Sequence, residues 1–188
     1  AIESSGEDLG TEYVVDLLKR FELSKDEHRQ LFEYCNSKDI TYLCTPWDSS
    51  SLEFLEEMGV LAYKVASADL TNIPLIELLI QTRKPLILST GMSTTEEIQF
   101  TSSVLDKANT EYAFLHCNST YPAPLEDINL SWIGELKKIH ATVGYSGHER
   151  GISVTIAAVV MGISIIERHF TLDRNMEGPD HAASLEFD

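Results

Sequence analysis

The sequence predicts an α/β fold, a (β/α)8 TIM barrel with about six of its eight β/α units present in this chain, and three observations lead there. Short β-rich runs alternate with amphipathic stretches, a new run starting roughly every 20 to 30 residues. No hairpin dipeptide joins consecutive runs, so the pairing is expected to be parallel with right-handed crossovers. Polar residues gather at the carboxyl end of nearly every run. An open sheet concentrates its site at one switch point, whereas a barrel brings every strand end to one mouth.

In chain order, an irregular acidic opening leads into a helix at Thr11–Arg20. The β-rich runs follow at Ile40–Cys44, Ala62–Ala66, Pro85–Ser89, Tyr112–Cys117, Thr142–Tyr145 and Ser164–His169. The stretches between them space apolar residues by three and four, as in Leu52, Leu55 and Met58 or Leu70, Ile73, Leu75 and Leu78. Helix starts are expected at Ser24-Lys25-Asp26-Glu27, Ser50-Ser51-Leu52-Glu53 and Ser93-Thr94-Thr95-Glu96, each a hydroxyl followed three residues later by glutamate. Six runs do not close the barrel. Two further strands are therefore expected before residue 1, and residues 1–188 read as one partial barrel domain.

Bulk properties narrow the function. A chain of 188 residues, 43% hydrophobic and 23% charged, has the composition of a soluble globular domain. No apolar run approaches the ~20 residues that span a bilayer, and the polar N-terminus lacks signal-peptide character. Cys35, Cys44 and Cys117 have no metal-like spacing and read as reduced, buried thiols of a cytoplasmic protein. A formal net charge of −16 argues against nucleic acid or an anionic membrane as partner. An anionic substrate must be held by a local set of donors.

The strand ends supply such donors. Thr45, Ser67, Ser89 and Ser146 offer hydroxyls on loops that also supply backbone N–H groups, several of them just before helix N-termini, and Lys64 is a lone cation in an apolar run; together they suit a phosphate cradle. Each serine taken alone is more often an N-cap, and it is the joint pattern on four strand ends that points to the cradle. Alternation points Ser146 and His148 to one side of their strand and Glu167 and His169 to one side of theirs. On neighbouring strands the two imidazoles can share a metal such as Mn²⁺, Zn²⁺ or Fe²⁺, or be two unrelated strand-end histidines bonded locally. His116 reads as a satisfied core residue, His28 and His140 as surface helix positions, and His181 as a loop residue able to approach the mouth. The acidic pairs Glu56-Glu57 and Glu96-Glu97 read as solvated helix faces.

Taken together, "TPWD" (45–48), "YKVASADL" (63–70), "LSTGM" (88–92), "LHCNSTYPAP" (115–124), "GYSGHERG" (144–151) and "ERHFTLDRNMEGPDHAASLE" (167–186) resemble the sialic acid synthases, which make N-acetylneuraminate and related nonulosonates. The resemblance runs from about Leu18 to the last residue. It implies condensation of phosphoenolpyruvate with an N-acetylated aldose, N-acetylmannosamine or a related deoxy diacetamido sugar, with release of phosphate. It also implies that His148 and His169 hold a divalent metal, typically Mn²⁺, with Mg²⁺ or Co²⁺ as alternatives. Thr45, Lys64, Ser67, Ser89, Ser119 and Ser146 would hold phosphoenolpyruvate, with Asn118 competing with Ser119 for the phosphate. Asp69, Tyr121 and Asp180 would contact the sugar. Glu167, beside the metal and the reacting carbons, and Lys64 would carry the catalytic roles, while Glu149 and Arg150 read as the start of the following loop.

Two departures stand out. Ala68-Asp69 replaces the family's usual Gly-Glu or Gly-Asp after the serine. The first two strands and a C-terminal antifreeze-like domain, which reaches into a partner's site in a homodimer, are absent from these residues. The chain on its own is therefore expected to be inactive. The alternative readings are a metal-dependent barrel hydrolase or lyase with Glu167 as general base, and a non-catalytic sugar-binding barrel fragment.

Overall fold

The computed structural model describes residues 19–178 and 180–187. Most of the expected helix Thr11–Arg20 lies outside the described residues, which are helical over 19–21. The chain divides into two compact units, Ala1–Tyr42 and Leu43–Asp188. In the first, helix α1 (Lys25–Ser37) begins at the expected capping box: Ser24 Oγ accepts from the Glu27 N–H, and the Glu27 carboxylate accepts from the Ser24 N–H. No residue of α1 is buried. Tyr42 supplies its contacts, with the hydroxyl 2.6 Å from His28 Nδ1 and the ring edge-on to Phe32.

The second unit is built on a five-stranded parallel sheet whose spatial order follows the sequence: β1 (Tyr63–Val65), β2 (Leu86–Ser89), β3 (Tyr112–Cys117), β4 (Val143–Gly147) and β5 (Ile166–Arg168). Helices α2 (Ser49–Met58), α3 (Ile73–Gln81), α4 (Thr95–Lys107), α5 (Trp132–Ile139) and α6 (Ser153–Val160) alternate with the strands. Every residue of β3 is buried, as expected for a strand covered on both faces. The core joins Tyr63, Leu88, Phe114 and Tyr145 of the strands to Leu79, Ile98, Leu105 and Ile133 of the helices.

The sheet curls into a half-barrel. Lys64 on β1 and Glu167 on β5, the first and last strands, bring Nζ and Oε2 to 3.5 Å. Four strand spacings in a flat sheet would separate those backbones by about 19 Å, beyond the reach of the two side chains.

Several expectations are corrected. Five strands are formed among the described residues, not six, because Ile40–Cys44 carries no strand ladder. The Cys44 carbonyl does accept from the Lys64 N–H at 3.4 Å. In a parallel ladder the next bond is donated by residue 46, and Pro46 has no N–H, so pairing stops there. Helix α2 is capped by Asp48, whose carboxylate accepts from the Ser51 N–H, and not by Ser50. Helix α4 is capped by Thr94 paired with Glu97, one residue beyond the expected Ser93 box. No helix of the described residues is long and apolar enough to cross a membrane.

Candidate functional site

The carboxyl ends of β1 to β5 meet over the buried thiol of Cys117. Ser67 opens a short 3-10 turn (Ser67–Asp69) after β1; its hydroxyl donates to Cys117 Sγ at 3.7 Å and accepts from the Gly91 N–H at 3.1 Å. Gly91 is needed there because a Cβ would stand 2.6 Å from Ser119 Oγ and 2.9 Å from the Cys117 carbonyl. The same contact places Ser119 at the mouth. Asn118 is engaged elsewhere, donating to the Asp127 carbonyl and accepting from the Thr120 N–H.

Two polar pairs flank the thiol. Lys64 Nζ donates to Ser89 Oγ at 2.8 Å and to the Val65 carbonyl at 3.1 Å. Ser146 Oγ donates to Glu167 Oε1 at 2.6 Å, and the ion pair between Lys64 and Glu167 closes the ring. Burial pushes the Cys117 thiol up, against the opposing hydrogen bonds of Ser67, Ser146 and Ser119 and the charge of Lys64. It remains a neutral thiol near pH 7.

Beside this ring stand the two histidines. His148 is buried, its ring 5.3 Å from that of His169 between centroids. Its Nδ1 lies 2.5 Å from the Asn118 carbonyl, which can only accept, so Nδ1 carries the proton. That leaves the Nε2 lone pair to accept from the Tyr121 hydroxyl at 2.9 Å. Tyr121 also stacks on His148 and meets His169 edge-on. Burial, and to a lesser degree the charge of His169, lowers the His148 pKa against the pull of the Asn118 carbonyl. The ring is a neutral imidazole, the form that binds metals. Burial first, then the neighbouring Cys117, Asp180 and Glu167, pushes the Tyr121 phenol up, so it stays protonated.

His169 faces Asp180, Nδ1 to Oδ2 at 3.7 Å. The chain beyond β5 returns to make this possible: the Leu185 N–H donates to the His169 carbonyl, and the Thr171 N–H to that of Leu185. Asp69 Oδ1 accepts from Asn72, while its Oδ2 is buried without a hydrogen-bond partner. Thr45 follows the Cys44 carbonyl that bonds Lys64, which sets it beside the end of β1. His181 donates or accepts at Thr171 Oγ1 and so braces the returning segment. His116 is buried against the Ile128 carbonyl, as expected of a core residue. His140 departs from the expected surface position: it is half-buried, stacks on Tyr112 and bonds the Tyr112 carbonyl.

Two imidazoles with free or lightly held Nε2 atoms are donors of the chemistry that would suit a divalent ion. Among the described residues no group of three or more His, Cys, Asp or Glu has the spacing of a complete metal cage. A polar groove of about 490 Å³ opens alongside, lined by Thr90, Ser93, Cys117, Ser119 and Thr120 among others.

The comparison that decides the lineage is the family profile, which matches residues 3–188. The chain belongs to the NeuB family. It is 40% identical over 176 residues to the N,N'-diacetyllegionaminic acid synthase of Campylobacter jejuni, an alignment covering 92% of this chain and 53% of that protein. It is 37% identical over 170 residues to human N-acetylneuraminate-9-phosphate synthase, covering 89% and 47%. The crystal structure of the N-acetylneuraminic acid synthetase of Leptospira borgpetersenii, in complex with citrate, superposes with a TM-score of 0.90 at 38% identity, covering 94% of this chain and 62% of that one. The chain thus spans about half the length of the curated NeuB relatives it matches.

Two features of the site escaped the sequence. Cys117 read as one buried thiol among three, yet it is the point on which β1, β3 and β4 converge. Glu149 does start the loop after β4, as read, but it is also fully buried and paired with Arg168, which was not foreseen. Strand alternation carried two residues past the end of β4 would have found it, since Tyr145 and Glu149 meet across Gly147.

Proposed function

We propose that the whole protein carrying this chain condenses phosphoenolpyruvate with an N-acetylated aldose to give a nonulosonate, on an eight-unit barrel and with a divalent metal, Mn²⁺ first, held by His148 and His169. The observation that carries the reading is the convergence of Lys64, Ser89, Ser146, Glu167 and both histidines at one mouth, from four different strand ends.

Lys64 with the hydroxyls of Thr45, Ser67, Ser89, Ser119 and Ser146 binds the phosphate and carboxylate of phosphoenolpyruvate. These fixed donors orient its carbon 3 toward the aldehyde and stabilise charge as the phosphate leaves. His148 and His169 would hold the metal, whose contribution when bound would be Lewis-acid polarisation of the sugar aldehyde. Asp69, Tyr121 and Asp180 would contact the sugar: Asp69 Oδ2 is a buried acceptor without a hydrogen-bond partner of its own, and Tyr121 and Asp180 lie close enough to interact. Glu167, between Ser146 and Lys64, is placed to steer the water that adds to carbon 2. Exclusion of bulk water by the buried strand ends strengthens each of these contacts.

The test is phosphate release. Whole protein, phosphoenolpyruvate, N-acetylmannosamine or a diacetamido sugar, and Mn²⁺ are expected to release phosphate and form a nonulosonate detected by mass spectrometry. Chelation should abolish release and added Mn²⁺ restore it. No release with any N-acetylated aldose overturns the synthase reading. Activity indifferent to chelators overturns the metal.

A further inference from the structure

On the face of β4 and β5 opposite the site lies a buried polar cluster that the reaction does not use. Glu149 is 0% exposed and the Arg168 side chain 8% exposed. Arg168 Nη1 donates to Glu149 Oε1 at 2.7 Å, to Thr155 Oγ1 at 2.8 Å and to the Gly151 carbonyl at 2.8 Å. Nη2 donates to the Glu149 carbonyl at 2.6 Å, and the Tyr145 hydroxyl donates to Glu149 Oε2 at 2.7 Å. Gly147, the register partner of Arg168, leaves the space: a Cβ there would stand 2.8 Å from Glu149 Oε2 and 3.1 Å from Arg168 Cδ.

The position of this cluster in the chain is what matters. Glu149 directly follows His148, and Arg168 directly precedes His169. A buried ion pair is a poor way to gain stability, because desolvation offsets its attraction; what it supplies is a fixed, directional distance. Here the guanidinium holds both the side chain and the main-chain carbonyl of Glu149, so it ties the residue after one imidazole to the residue before the other. β4 ends at Gly147 and β5 at Arg168, so the ladder does not hold His148 to His169.

We infer that the Glu149–Arg168 pair is a positioning clamp that sets the separation of the His148 and His169 rings for divalent-metal binding. The inference rests on the metal reading proposed above. Glu149 and Arg168 touch neither substrate nor metal; they act through the histidines. Groups hydrogen-bonded directly to metal ligands typically contribute ~10–100-fold to affinity; the clamp reaches the histidines through the main chain, and that range is the scale to test.

The experiment is Mn²⁺ titration by calorimetry on the whole protein, with circular dichroism and thermal unfolding in parallel. Arg168→Met is expected to weaken Mn²⁺ binding ~10–100-fold and to destabilise, because it leaves Glu149 buried and unpaired. Glu149→Gln combined with Arg168→Met removes the stranded charge. It should recover most of the stability and none of the affinity, a split that a merely structural role would not produce. Should Arg168→Met fail to fold, Arg168→Lys keeps the charge but cannot span both Glu149 Oε1 and the Glu149 carbonyl; it should fold and bind Mn²⁺ more weakly. Affinity that stays within about twofold in the folded variants, or returns together with stability in the double variant, overturns the clamp alone. A parent protein that binds no divalent cation, with His148→Ala no different from it, overturns the metal reading and the clamp together.

Discussion

Lys64 is the residue whose chemistry is most exposed to test. Its ammonium is held by the Ser89 hydroxyl, the Val65 carbonyl and Glu167, at 2.8, 3.1 and 3.5 Å. A hydrogen bond to a charged group contributes about 1.5–3 kcal/mol, so, on the condensation proposed above, Lys64→Met in the whole protein is expected to lower kcat/KM for phosphoenolpyruvate by roughly 10–100-fold. Because Lys64 also neutralises Glu167, part of the loss should fall on kcat, as steady-state kinetics will show. Cys117 tests the electrostatics from the other side. Burial raises its pKa, so at a given pH less of it is thiolate. At pH 8 iodoacetamide should label Cys117 more slowly than the half-buried Cys35 and Cys44. Its labelling should also keep rising with pH beyond the range of an ordinary thiol, about 8.5, as peptide mass spectrometry can follow. Equal labelling of all three would mean that the thiol is not sequestered among Ser67, Ser119 and Ser146.

At the scale of elements, two glycines predict opposite signs. A Cβ on Gly144 would meet the Leu115 side chain and stand 2.6 Å from the Ile165 carbonyl. Gly144 sits in β4 between β3 and β5, where backbone has nowhere to move, so Gly144→Ala should cost about 3 kcal/mol, the upper end for overpacking. Gly134 lies inside α5 with nothing within 4 Å of its would-be Cβ, so Gly134→Ala should stabilise by up to ~1 kcal/mol. Urea unfolding of the two variants checks both. The strands were legible in the sequence because alternation of helix and strand leaves a periodic trace, and β2 to β5 fall within two residues of their expected ends. The run Ile40–Cys44 misled because β-propensity says nothing about partners, and the missing N–H of Pro46 ends the pairing after one bond. The polar strand ends were legible one by one. Their partners were not: no spacing rule brings Lys64 to Glu167 across 103 residues, since that contact depends on the curl of the sheet. The Glu149–Arg168 pair was hidden by a different cause, a charged pair on the covered face where polar residues are assumed to mark solvent.

For these 188 residues taken together the governing quantity is charge, 30 acidic side chains against 14 Lys and Arg. Self-repulsion of that size destabilises a compact chain and is long-ranged. Salt shortens its reach, from a Debye length of about 30 Å at 0.01 M to about 8 Å at 0.15 M. Salt also weakens ion pairs, but several here, Arg29–Asp26, Lys138–Glu135 and Arg174–Glu186, lie at the surface and contribute little. The Glu149–Arg168 pair is shielded from mobile ions by its burial. Relief of repulsion should therefore win, and the thermal midpoint at pH 7.5 is expected to rise between 0.01 and 0.3 M NaCl. For a chain of this length each 1 kcal/mol gained corresponds to about 2–4 °C, so scanning calorimetry resolves the effect. A midpoint that falls with salt would mean that the surface ion pairs outweigh the net charge. The buried clamp adds a finer expectation: the loss of midpoint in Arg168→Met should be the same at both salt concentrations, because the charge it strands lies beyond the reach of the screening ions.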